Sequence, residues 1–573
     1  MIKTIKIICY RAIIKNFPTL HKQLKLKDID VSPSKENTQY HFQFNGSMKI
    51  AQHIKEPTLN IAKKIQTSIA KKISQEFLIT SITSPGFINF QINHKLIQKK
   101  LITLFKKNKT KNKEKIIIDY SSPNIAKDMH VGHLRSTIIG DCLSRILKYT
   151  GNTVIKISHL GDWGTQFGIL INYIKEKYNN DTIKKISLQK LSEFYKNAQK
   201  KFETDNTFKD QAKKEVIKLQ HKEKNTINIW QEINKISKKE YKKIYDLLNI
   251  KIKYKGESFY NDLIDPLIKR FEKKNIIEIS NNAKCIYING MMNKDNMPLP
   301  LIIKKSDGGS NYATTDLAAL YYRIKYNKAN KVIYITDVGQ SMHFKMIFEA
   351  IKKIEINIKT QLIHIPIGLM LTHEGKKIKT RTGDSEKLIS LLKKSINYSK
   401  KILKNKNKKM SNLILNKSAK ILGINTIKYA DLSNKIDQNY IFDYKKILQS
   451  NGNTASFLNY AYVRINSIKT IMKNNKYKNI NKFNLILQKK TEIDLAVHLT
   501  QYKHIIEKTK DDLNPNILTT YLFKLAEKFH SFFHECNVIK SEHKNSRFML
   551  CTITSKILKN GMFLLGLKII KKM

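Results

Sequence analysis

The sequence is poor in cysteine, and its few cysteines lie far from one another. Only five occur among the 573 residues, and no two of them form a Cys-x-x-Cys pair. Such isolated positions argue against a zinc ribbon and against a disulfide framework, and they are typical of a protein kept in the reducing cytosol. We therefore expect a cytoplasmic protein without a metal site of its own.

Long apolar runs are also missing. The stretch 563–570 is short and contains Lys568, so it falls below the length that a membrane-spanning helix needs. The N-terminus has no acidic residue before Asp28, as in a transit peptide, but Lys6 interrupts its apolar run and no cleavage site follows. We expect no membrane association and interpret the first residues as a helix.

Acidic residues are scarce relative to basic ones. The chain has 46 Asp and Glu against 106 Lys and Arg, which gives a formal net charge of +60. An excess of this size attracts polyanions over long range and favours a nucleic-acid partner. Coding bias is an alternative source of part of the excess, because lysines occur in every region. The length and the hydrophobic fraction of 41% are typical of several globular domains.

The most informative stretch has the pattern of a strand, a helix and a second strand. Residues 116–118 are an unbroken isoleucine run, which is typical of a strand buried on both faces of a parallel sheet. Apolar residues then recur with the helical period over 134–147, and Gly151 marks the end of that helix. A second apolar run at 154–158 completes the unit.

Two histidines, His130 and His133, lie where the loop after the first strand meets the helix. A helix N-terminus presents free N–H groups and a partial positive charge, which suit a phosphate. Gly132 allows a flat group such as a nucleobase to approach the backbone, and Lys127 adds a cation. Together these residues suit a nucleoside triphosphate, although two histidines alone more often just cap a helix.

The His-Val-Gly-His sequence at 130–133 resembles the HIGH motif of class I aminoacyl-tRNA synthetases. The wider run, with Ser-Pro-Asn-Ile-Ala-Lys, His-Leu-Arg-Ser-Thr and Gly-Asp-Trp-Gly-Thr-Gln-Phe-Gly, is similar to arginyl-tRNA synthetases in particular. The resemblance covers essentially the whole chain and is densest at 119–168, 307–343 and 440–464. It implies an ATP-dependent ligase that forms arginyl-adenylate and transfers arginine to the terminal adenosine of tRNA(Arg).

The resemblance also implies which residues bind ATP. They are Pro123, Asn124, Ile125, Ala126, Lys127, Asp128, Met129, His130, Val131, Gly132 and His133. Both histidines are expected to donate hydrogen bonds to phosphate or leaving oxygens, with Mg²⁺ bound to ATP rather than to a dedicated protein site.

A predicted strand over 362–370 runs into a basic loop where most class I synthetases have KMSKS. This chain has Thr380 in place of the second lysine of that motif. We expect Lys127, Lys379 and Arg381 to share the charge that this lysine supplies in other families. A basic surface loop is the alternative for any of these residues taken singly.

The arginine-binding residues follow from the same resemblance. Tyr312 and Asp316 match residues that hold the substrate guanidinium, and they lie four apart on one face of a predicted helix. A planar guanidinium favours a carboxylate that accepts two parallel hydrogen bonds. Asp119 is expected to add a second negative group, Asn124 to bind the amino-acid main chain, and Gln340 to lie near the bound arginine. A lone aspartate at a helix start would instead be structural, because the helix dipole favours it there.

We predict an α/β plus all-α protein built around a Rossmann-type, doubly wound parallel sheet. The predicted parts are an α+β tRNA-contacting domain over 1–110, a catalytic domain over 111–385 with insertions at about 169–248 and 261–311, and a helical anticodon-binding domain over 386–573. In the N-terminal part, 86–92 alternates like an exposed strand.

Tyr460 and Arg464 are the expected RNA contacts of the helical domain, because aromatic rings stack on bases and arginines meet phosphates. A place in the helix core is the alternative for Tyr460 and for Tyr462. We expect the protein to act as a monomer.

Two other functions stay open. One is a different class I synthetase, such as a glutamyl or cysteinyl enzyme, but Tyr312, Asp316 and the lack of a Cys/His zinc set speak against it. The other is a basic tRNA-binding module with an inactive site. The presence of His130, His133 and Lys127 speaks against that alternative.

Overall fold

The computed structural model has the mixed α/β fold that the sequence predicts. It describes all residues except 35–39, 73–76, 106–112, 179–182, 184–185, 307, 355–357, 373, 377–385, 444–446, 448, 450–451, 474–484 and 571–573.

The N-terminal part is a four-stranded antiparallel sheet packed against helices. Its strands are β1 (Val31–Pro33), β2 (Phe42–Phe44), β3 (Phe77–Thr83) and β4 (Phe87–Ile92), in the spatial order β1-β2-β4-β3. Its helices are α1 (Ile2–Asn16), α2 (Ser47–Ile54), α3 (Thr58–Lys72) and α4 (His94–Thr103). The first residues are therefore helical, as predicted.

Strand β4 is less exposed than its alternation predicts. Ile88, Phe90 and Ile92 lie in the core, as alternate residues of one face should. Asn89 points the other way but is buried as well, and its side-chain oxygen accepts a hydrogen bond from Gln43 at 2.9 Å. The prediction of an exposed strand was wrong because polar residues on this face satisfy one another.

A five-stranded parallel sheet forms the centre of the chain. In chain order its strands are β5 (Lys115–Tyr120), β6 (Thr153–Leu160), β7 (Lys253–Gly256), β11 (Lys331–Asp337) and β12 (Gln361–Ile367). In space the order is β12-β11-β5-β6-β7, with every pair parallel. The strand order reverses beside β5, and such a reversal opens a crevice at the carboxyl ends of the strands.

The unit that begins this sheet follows its sequence pattern closely. Ile116, Ile117 and Ile118 are completely buried in β5, as the unbroken apolar run predicts. Helix α5 (Gly132–Tyr149) follows and packs against the sheet. It ends just before Gly151, whose φ of 100° suits a residue without a side chain.

Two insertions interrupt the sheet. The first is helical, as predicted, and consists of α6 (Thr165–Lys177), α7 (Leu188–Thr204), α8 (Asn206–Gln220) and α9 (Lys224–Leu247). The second contains α10 (Asn261–Glu272) and an antiparallel sheet of β8 (Glu278–Ser280), β9 (Ala283–Met292) and β10 (Pro298–Lys304). The chain returns to the central sheet through α11 (Tyr312–Lys325), and α12 (Ser341–Ile354) connects β11 to β12.

The predicted strand over 362–370 is in fact two strands. Strand β12 ends at Ile367, and β13 (Met370–Leu371) pairs instead with β14 (Tyr440–Ile441). Gly368 separates them, and a Cβ atom there would lie 2.4 Å from the backbone of Gln438. This close approach of a distant segment ends the central strand early.

The C-terminal part is helical. Its helices are α13 (Leu388–Lys406), α14 (Asn412–Leu432), α15 (Ala455–Lys473), α16 (Lys490–Thr500), α17 (Tyr502–Asp511), α18 (Asn516–Glu535) and α19 (Lys544–Leu564). Among the described residues, no helix combines the length and the apolar character that crossing a membrane requires. All five cysteines of the chain are buried free thiols.

Candidate active site

A cleft of about 450 Å³ opens at the carboxyl ends of β5, β11 and β12, beside the reversal of strand order. Ligands of open parallel sheets bind at this place. Six of the predicted site residues line the cleft, namely Asn124, His130, Val131, Gly132, His133 and Gln340. The sheet therefore brings together residues that are far apart in sequence.

The loop between β5 and α5 has an unusual backbone. The φ angle is positive at Ser121 (74°), Ser122 (41°) and Ala126 (64°), which residues with side chains rarely adopt. Two serines of the first insertion hold Ala126 in this conformation. Its N–H donates to Ser237 Oγ at 3.0 Å, and its carbonyl accepts from Ser192 Oγ at 2.9 Å. The insertion thus fixes the loop that carries the histidines.

His130 and His133 lie side by side at the start of α5, with ring centres 4.1 Å apart. The His130 N–H donates to His133 Nδ1 at 3.2 Å, and the Gly132 N–H donates to His130 Nδ1 at 3.1 Å. A Cβ atom on Gly132 would lie 2.8 Å from the His130 ring. Gly132 therefore makes room for that ring, a role that the sequence did not suggest.

Both imidazoles are neutral at physiological pH. Burial and then the charge of Lys127 lower the pKa of His130, and burial followed by His130 lowers the pKa of His133 to about 3. In each ring Nδ1 accepts a backbone hydrogen bond, so the hydrogen of the neutral ring is on Nε2. Each ring can therefore donate one hydrogen bond to a phosphate oxygen.

Lys127 is exposed, and its side chain lies over the ring of Tyr195 on α7. The Nζ atom is 4.6 Å from the ring centre. Lys127 precedes His130 by three residues on this loop, and its charge adds to the effect of burial in lowering the pKa of His130. The role of Lys127 in neutralising phosphate charge therefore stays a prediction.

The other two predicted cations, Lys379 and Arg381, lie in 377–385, outside the described residues. The chain that follows this segment contacts the histidine loop directly. The N–H of Val131 donates to the carbonyl of Glu386 at 3.1 Å, and Asp128 pairs with Lys387 at 2.8 Å.

Asp316 is held by histidines. His343 Nε2 lies 2.7 Å from one carboxylate oxygen, and His159 Nε2 lies 3.7 Å from the other. Because a carboxylate only accepts hydrogen bonds, the His343 nitrogen carries the hydrogen. No lysine or arginine of the described part of the chain pairs with Asp316, so its negative charge is available to a ligand cation.

Asp119 has a different environment. One oxygen lies 2.6 Å from Nη2 of Arg323, and the other accepts a hydrogen bond from Ser122 Oγ at 2.9 Å. Asp119 is 5% exposed and Arg323 is completely buried. The second negative group expected for the substrate thus already meets a guanidinium of the chain itself. Sequence reasoning missed this partner because it lies 204 residues away.

His159 lies between the two aspartates, with its backbone hydrogen-bonded toward Asp119 and its ring near Asp316. The N–H of His159 donates to Ser122 Oγ at 3.0 Å, and Ser122 in turn donates to Asp119. The ring of His159 extends to Asp316, and its nitrogens have no hydrogen-bond partner among the described residues. Ser122 lines the same cleft as His130. The predicted acids and histidines therefore occupy one neighbourhood.

Glu257 is a further acid of this neighbourhood that sequence analysis did not identify. It directly follows β7, so it lies at the same edge of the sheet, and it is 6% exposed. Burial, and then the charges of Asp316 and Asp162, raise the pKa of Glu257 to about 8. Glu257 belongs to the sequence Gly-Glu-Ser-Phe-Tyr at 256–260. The residue types of this segment do not by themselves indicate a chemical role.

The remaining predicted pocket residues lie around this centre. Tyr312 begins α11 one turn before Asp316 and is 60% exposed. Gln340 lies after β11 and lines the cleft. Asn124 is exposed and pairs with Gly161, where a Cβ atom would lie 2.2 Å from Asn124 Oδ1. The glycine thus leaves space for the amide of Asn124.

Tyr460 and Arg464 lie one turn apart on α15 and form a surface cluster with α18. Tyr460 is 42% exposed and stacks on His530 with ring centres 5.6 Å apart. The Arg464 guanidinium lies 4.7 Å from the ring centres of Tyr460 and Phe533. Tyr462 instead packs against the core. The cluster offers an exposed ring and a cation, a combination that binds single-stranded RNA.

Three family models match the chain. The catalytic-domain model of class I (R) tRNA synthetases matches residues 91–444. The arginyl-tRNA synthetase N-terminal domain matches 5–92, and the DALR anticodon-binding domain matches 458–573. Together these matches extend over nearly the whole chain.

Whole proteins and structures match over a similar extent. An arginine–tRNA ligase of Protochlamydia amoebophila is 44% identical over 553 residues, which are 95% of this chain and 94% of that protein. One of Crocosphaera subtropica is 40% identical and covers 98% of both chains. The crystal structure of the arginyl-tRNA synthetase from Plasmodium falciparum has a TM-score of 0.85 at 31% identity, covering 100% of this chain and 99% of its own.

Proposed function

Because the chain belongs to the arginyl-tRNA synthetase family, we propose that the cleft beside His130 and His133 is its active site. The enzyme is an arginine–tRNA ligase, which joins L-arginine to tRNA(Arg) at the expense of ATP. The observation that carries this function is the identity of 40–44% to arginine–tRNA ligases over nearly the full length. The paired imidazoles and the adjoining acidic pocket support the location.

The first chemical step forms arginyl-adenylate. A carboxylate oxygen of arginine attacks the α-phosphorus of ATP, the bond to the bridging oxygen breaks, and pyrophosphate leaves. Since this attack needs no proton from the protein, its rate depends on positioning and charge neutralisation. His130 and His133 donate Nε2–H to phosphate oxygens. Lys127, Lys379 and Arg381 neutralise the charge that develops on pyrophosphate.

The second step transfers arginine to tRNA. The 2′-hydroxyl of the terminal adenosine attacks the carbonyl carbon of the adenylate, and AMP leaves with the electron pair of the broken bond. The hydroxyl proton passes to the departing phosphate, so no protein base is required. The ATP-binding segment 123–133 holds the adenylate during this attack, and therefore serves both steps.

Magnesium accompanies ATP in this proposal. Among the described residues, no group of three or more His, Cys, Asp or Glu side chains is arranged to hold a metal ion. Mg²⁺ commonly retains several waters and binds through substrate phosphates. We therefore assign the ion to the triphosphate and no step to a protein-bound metal.

The substrate guanidinium binds against Asp316. The hydrogen bond from His343 orients this carboxylate, and the nearby Glu257 gives the pocket a second acid that Arg323 does not neutralise. Asp119, paired with Arg323, contributes indirectly by holding Ser122, which lines the cleft. Tyr312 and Gln340 flank the guanidinium, and Asn124 binds the amino-acid main chain. Citrulline, which lacks the charge, would cover the half-buried Asp316 without giving it a cation and is therefore rejected.

Apart from its terminal adenosine, which reacts in the cleft, the tRNA binds elsewhere on the protein. We assign these contacts to the domains 1–110 and 386–573, with Tyr460 stacking on a base and Arg464 meeting phosphate near the anticodon. The net charge of +60 supports binding of a polyanion. The resemblance to arginyl-tRNA synthetases implies that arginine is activated only when tRNA is bound. We further propose a monomer that acts in the cytoplasm.

A charging assay tests this function. The purified protein is incubated with ATP, total tRNA and each amino acid in turn, and pyrophosphate exchange is measured with and without tRNA. We expect charging with arginine alone, no charging with citrulline, and exchange that requires tRNA. Charging with another amino acid would refute the specificity, and the absence of exchange under all conditions would indicate an inactive tRNA-binding module.

A further inference from the structure

The first insertion contacts the loop before His130 through more than its two serines. The hydroxyl of Tyr241 on α9 donates its hydrogen between the carbonyls of Asn124, at 2.6 Å, and Lys127, at 2.8 Å. Tyr241 is completely buried, so this contact anchors the backbone of the loop from Asn124 to Lys127 to the insertion. The backbone of Lys127 is therefore fixed, and the position of its charge depends on its four-carbon side chain.

The ring of Tyr195 determines where that side chain lies. Lys127 Nζ is 4.6 Å from the ring centre, within the range of a cation–π interaction. The Tyr195 hydroxyl donates to Gln166 Oε1 at 3.3 Å, which fixes the ring to α6. Among the described residues, no carboxylate lies within ion-pair distance of Lys127. Within this part of the chain, the ammonium group of Lys127 therefore contacts the face of the Tyr195 ring and not a carboxylate.

An aromatic partner suits a lysine that must meet phosphate. A carboxylate partner would have to be displaced from the lysine when the triphosphate binds. The face of a ring contacts only one side of the ammonium group, so the hydrogens on the other side can bind phosphate oxygens. Lys127 belongs to the loop that ends at His130, three residues later, so the ring of Tyr195 holds the charge next to the segment that carries the histidines.

We infer that Tyr195 is a positioning residue that holds the Lys127 ammonium group beside His130 for the step that releases pyrophosphate. The inference rests on the proposed role of Lys127 in the active site. It assigns the helical insertion a part in catalysis, because α7 supplies the ring on which the lysine lies. The alternative is that Tyr195 only packs α7 against α6.

A double-mutant cycle distinguishes these two roles. Tyr195→Leu, Lys127→Met and the double variant are compared in arginine-dependent pyrophosphate exchange with tRNA present. We expect Tyr195→Leu to lower kcat about fivefold, which corresponds to about 1 kcal/mol, and to leave the KM for arginine unchanged. In the Lys127→Met background the same change should have no further effect, because the cation is already absent.

Two matched variants complete the experiment. Tyr195→Phe keeps the ring and should restore kcat to within about twofold of the parent. Phe194→Leu removes a buried neighbour on the same helix, and any loss that it causes should be equal in the presence and absence of Lys127.

Three results would overturn the inference. A Tyr195→Leu variant with unchanged kcat, or one whose loss is equally large in the Lys127→Met background, would show that the ring only packs the insertion. Full activity of Lys127→Met would overturn the inference together with the proposed role of Lys127. The charging assay would still decide the proposed ligase function independently.

Discussion

Asp119 and Asp316 show how the partner of a carboxylate determines what it can bind. Asp119 is buried against Arg323 at 2.6 Å, so its charge is compensated within the chain. Asp316 accepts a hydrogen bond from His343, and its other neighbour is His159 at 3.7 Å. A hydrogen bond from an imidazole fixes the orientation of a carboxylate without requiring a permanent opposite charge. The substrate guanidinium is therefore expected to meet Asp316.

Replacing the charge of Asp316 tests this assignment. We expect Asp316→Asn to lower kcat/KM for arginine by about 10- to 150-fold, because a hydrogen bond to a charged group contributes about 1.5–3 kcal/mol. The KM for ATP should change less than about twofold, since Asp316 lies on the amino-acid side of the site. Pyrophosphate exchange with tRNA present measures both constants.

The control is Asp295→Asn, which makes the same change in an exposed turn of the second insertion. It should leave all constants unaltered. An Asp316→Asn variant with normal kcat/KM for arginine would exclude Asp316 as the guanidinium partner.

Glu257 predicts how arginine binding depends on pH. Burial and the neighbouring Asp316 and Asp162 raise its pKa to about 8, so it is mostly protonated at pH 7. A bound guanidinium favours the ionised carboxylate, and binding should therefore release a proton. Between pH 7 and pH 9 the ionised fraction rises about tenfold, and the Kd for arginine should fall by about the same factor.

Isothermal calorimetry in two buffers of different ionisation enthalpy measures the Kd and the released proton together. Glu257→Gln cannot ionise and should give a Kd that does not vary over this pH range. A parent protein whose Kd is constant from pH 7 to pH 9 would show that Glu257 does not face the guanidinium.

At the scale of elements, the end of β6 supports the loop that follows β5. Gly161 pairs with Asn124, and an added Cβ atom would collide with the Asn124 side-chain oxygen at 2.2 Å. The amide is a movable group, so a methyl group at Gly161 should displace it without unfolding the sheet. A substitution at Gly161 should therefore move the side chain of Asn124 and leave its backbone in place.

Gly161→Ala is therefore expected to imitate Asn124→Ala. Each variant should raise the KM for arginine about tenfold, the loss of roughly one hydrogen bond to a charged group, with little change in melting temperature. The double variant should be no worse than either single one. If Gly161→Ala keeps the parental KM while Asn124→Ala does not, the two residues act independently.

The elements themselves were largely predictable from sequence. Strand β5 and helix α5 follow local periods, which depend on neighbours along the chain, and their prediction is confirmed. The partners of individual side chains were not predictable, because they come from distant segments. Arg323 neutralises Asp119 across 204 residues, and the backbone near Gln438 ends β12 at Ile367. Local patterns contain no information about such contacts.

The protonation of Glu257 and the conformation of the loop before His130 were also not predictable from the sequence. The pKa of Glu257 is raised by burial and by charges that only the fold brings together. The positive φ of Ala126 depends on two serines of the insertion. The residue types at the site were recognisable, whereas their electrostatic state and support required the structure.

At the scale of the whole molecule, a buried ion pair joins the catalytic sheet to the C-terminal helices. Arg135 on α5 lies 2.7 Å from Asp431 on α14, and both side chains are almost completely buried. Arg135 also donates to the carbonyls of Gln438 and Lys435. The helix that begins at the histidines is thus attached to the helical part.

Breaking this pair should destabilise the protein as a whole. Arg135→Met leaves Asp431 buried without its cation, which costs about 3–5 kcal/mol and should lower the melting temperature markedly. The matched control, Lys242→Met, removes an exposed ion pair with Asp246 and should cost less than about 1 kcal/mol. Equal melting temperatures of the two variants would contradict a structural role for the buried pair.

In the proposed active site, the nucleotide lies beside two imidazoles and the guanidinium lies against Asp316. A crystal structure with a non-hydrolysable arginyl-adenylate analogue measures this arrangement most directly. We predict guanidinium nitrogens about 3 Å from the Asp316 carboxylate and adenylate oxygens within hydrogen-bonding distance of Nε2 of His130 or His133. A guanidinium bound away from Asp316, or an adenosine outside the cleft, would contradict the account.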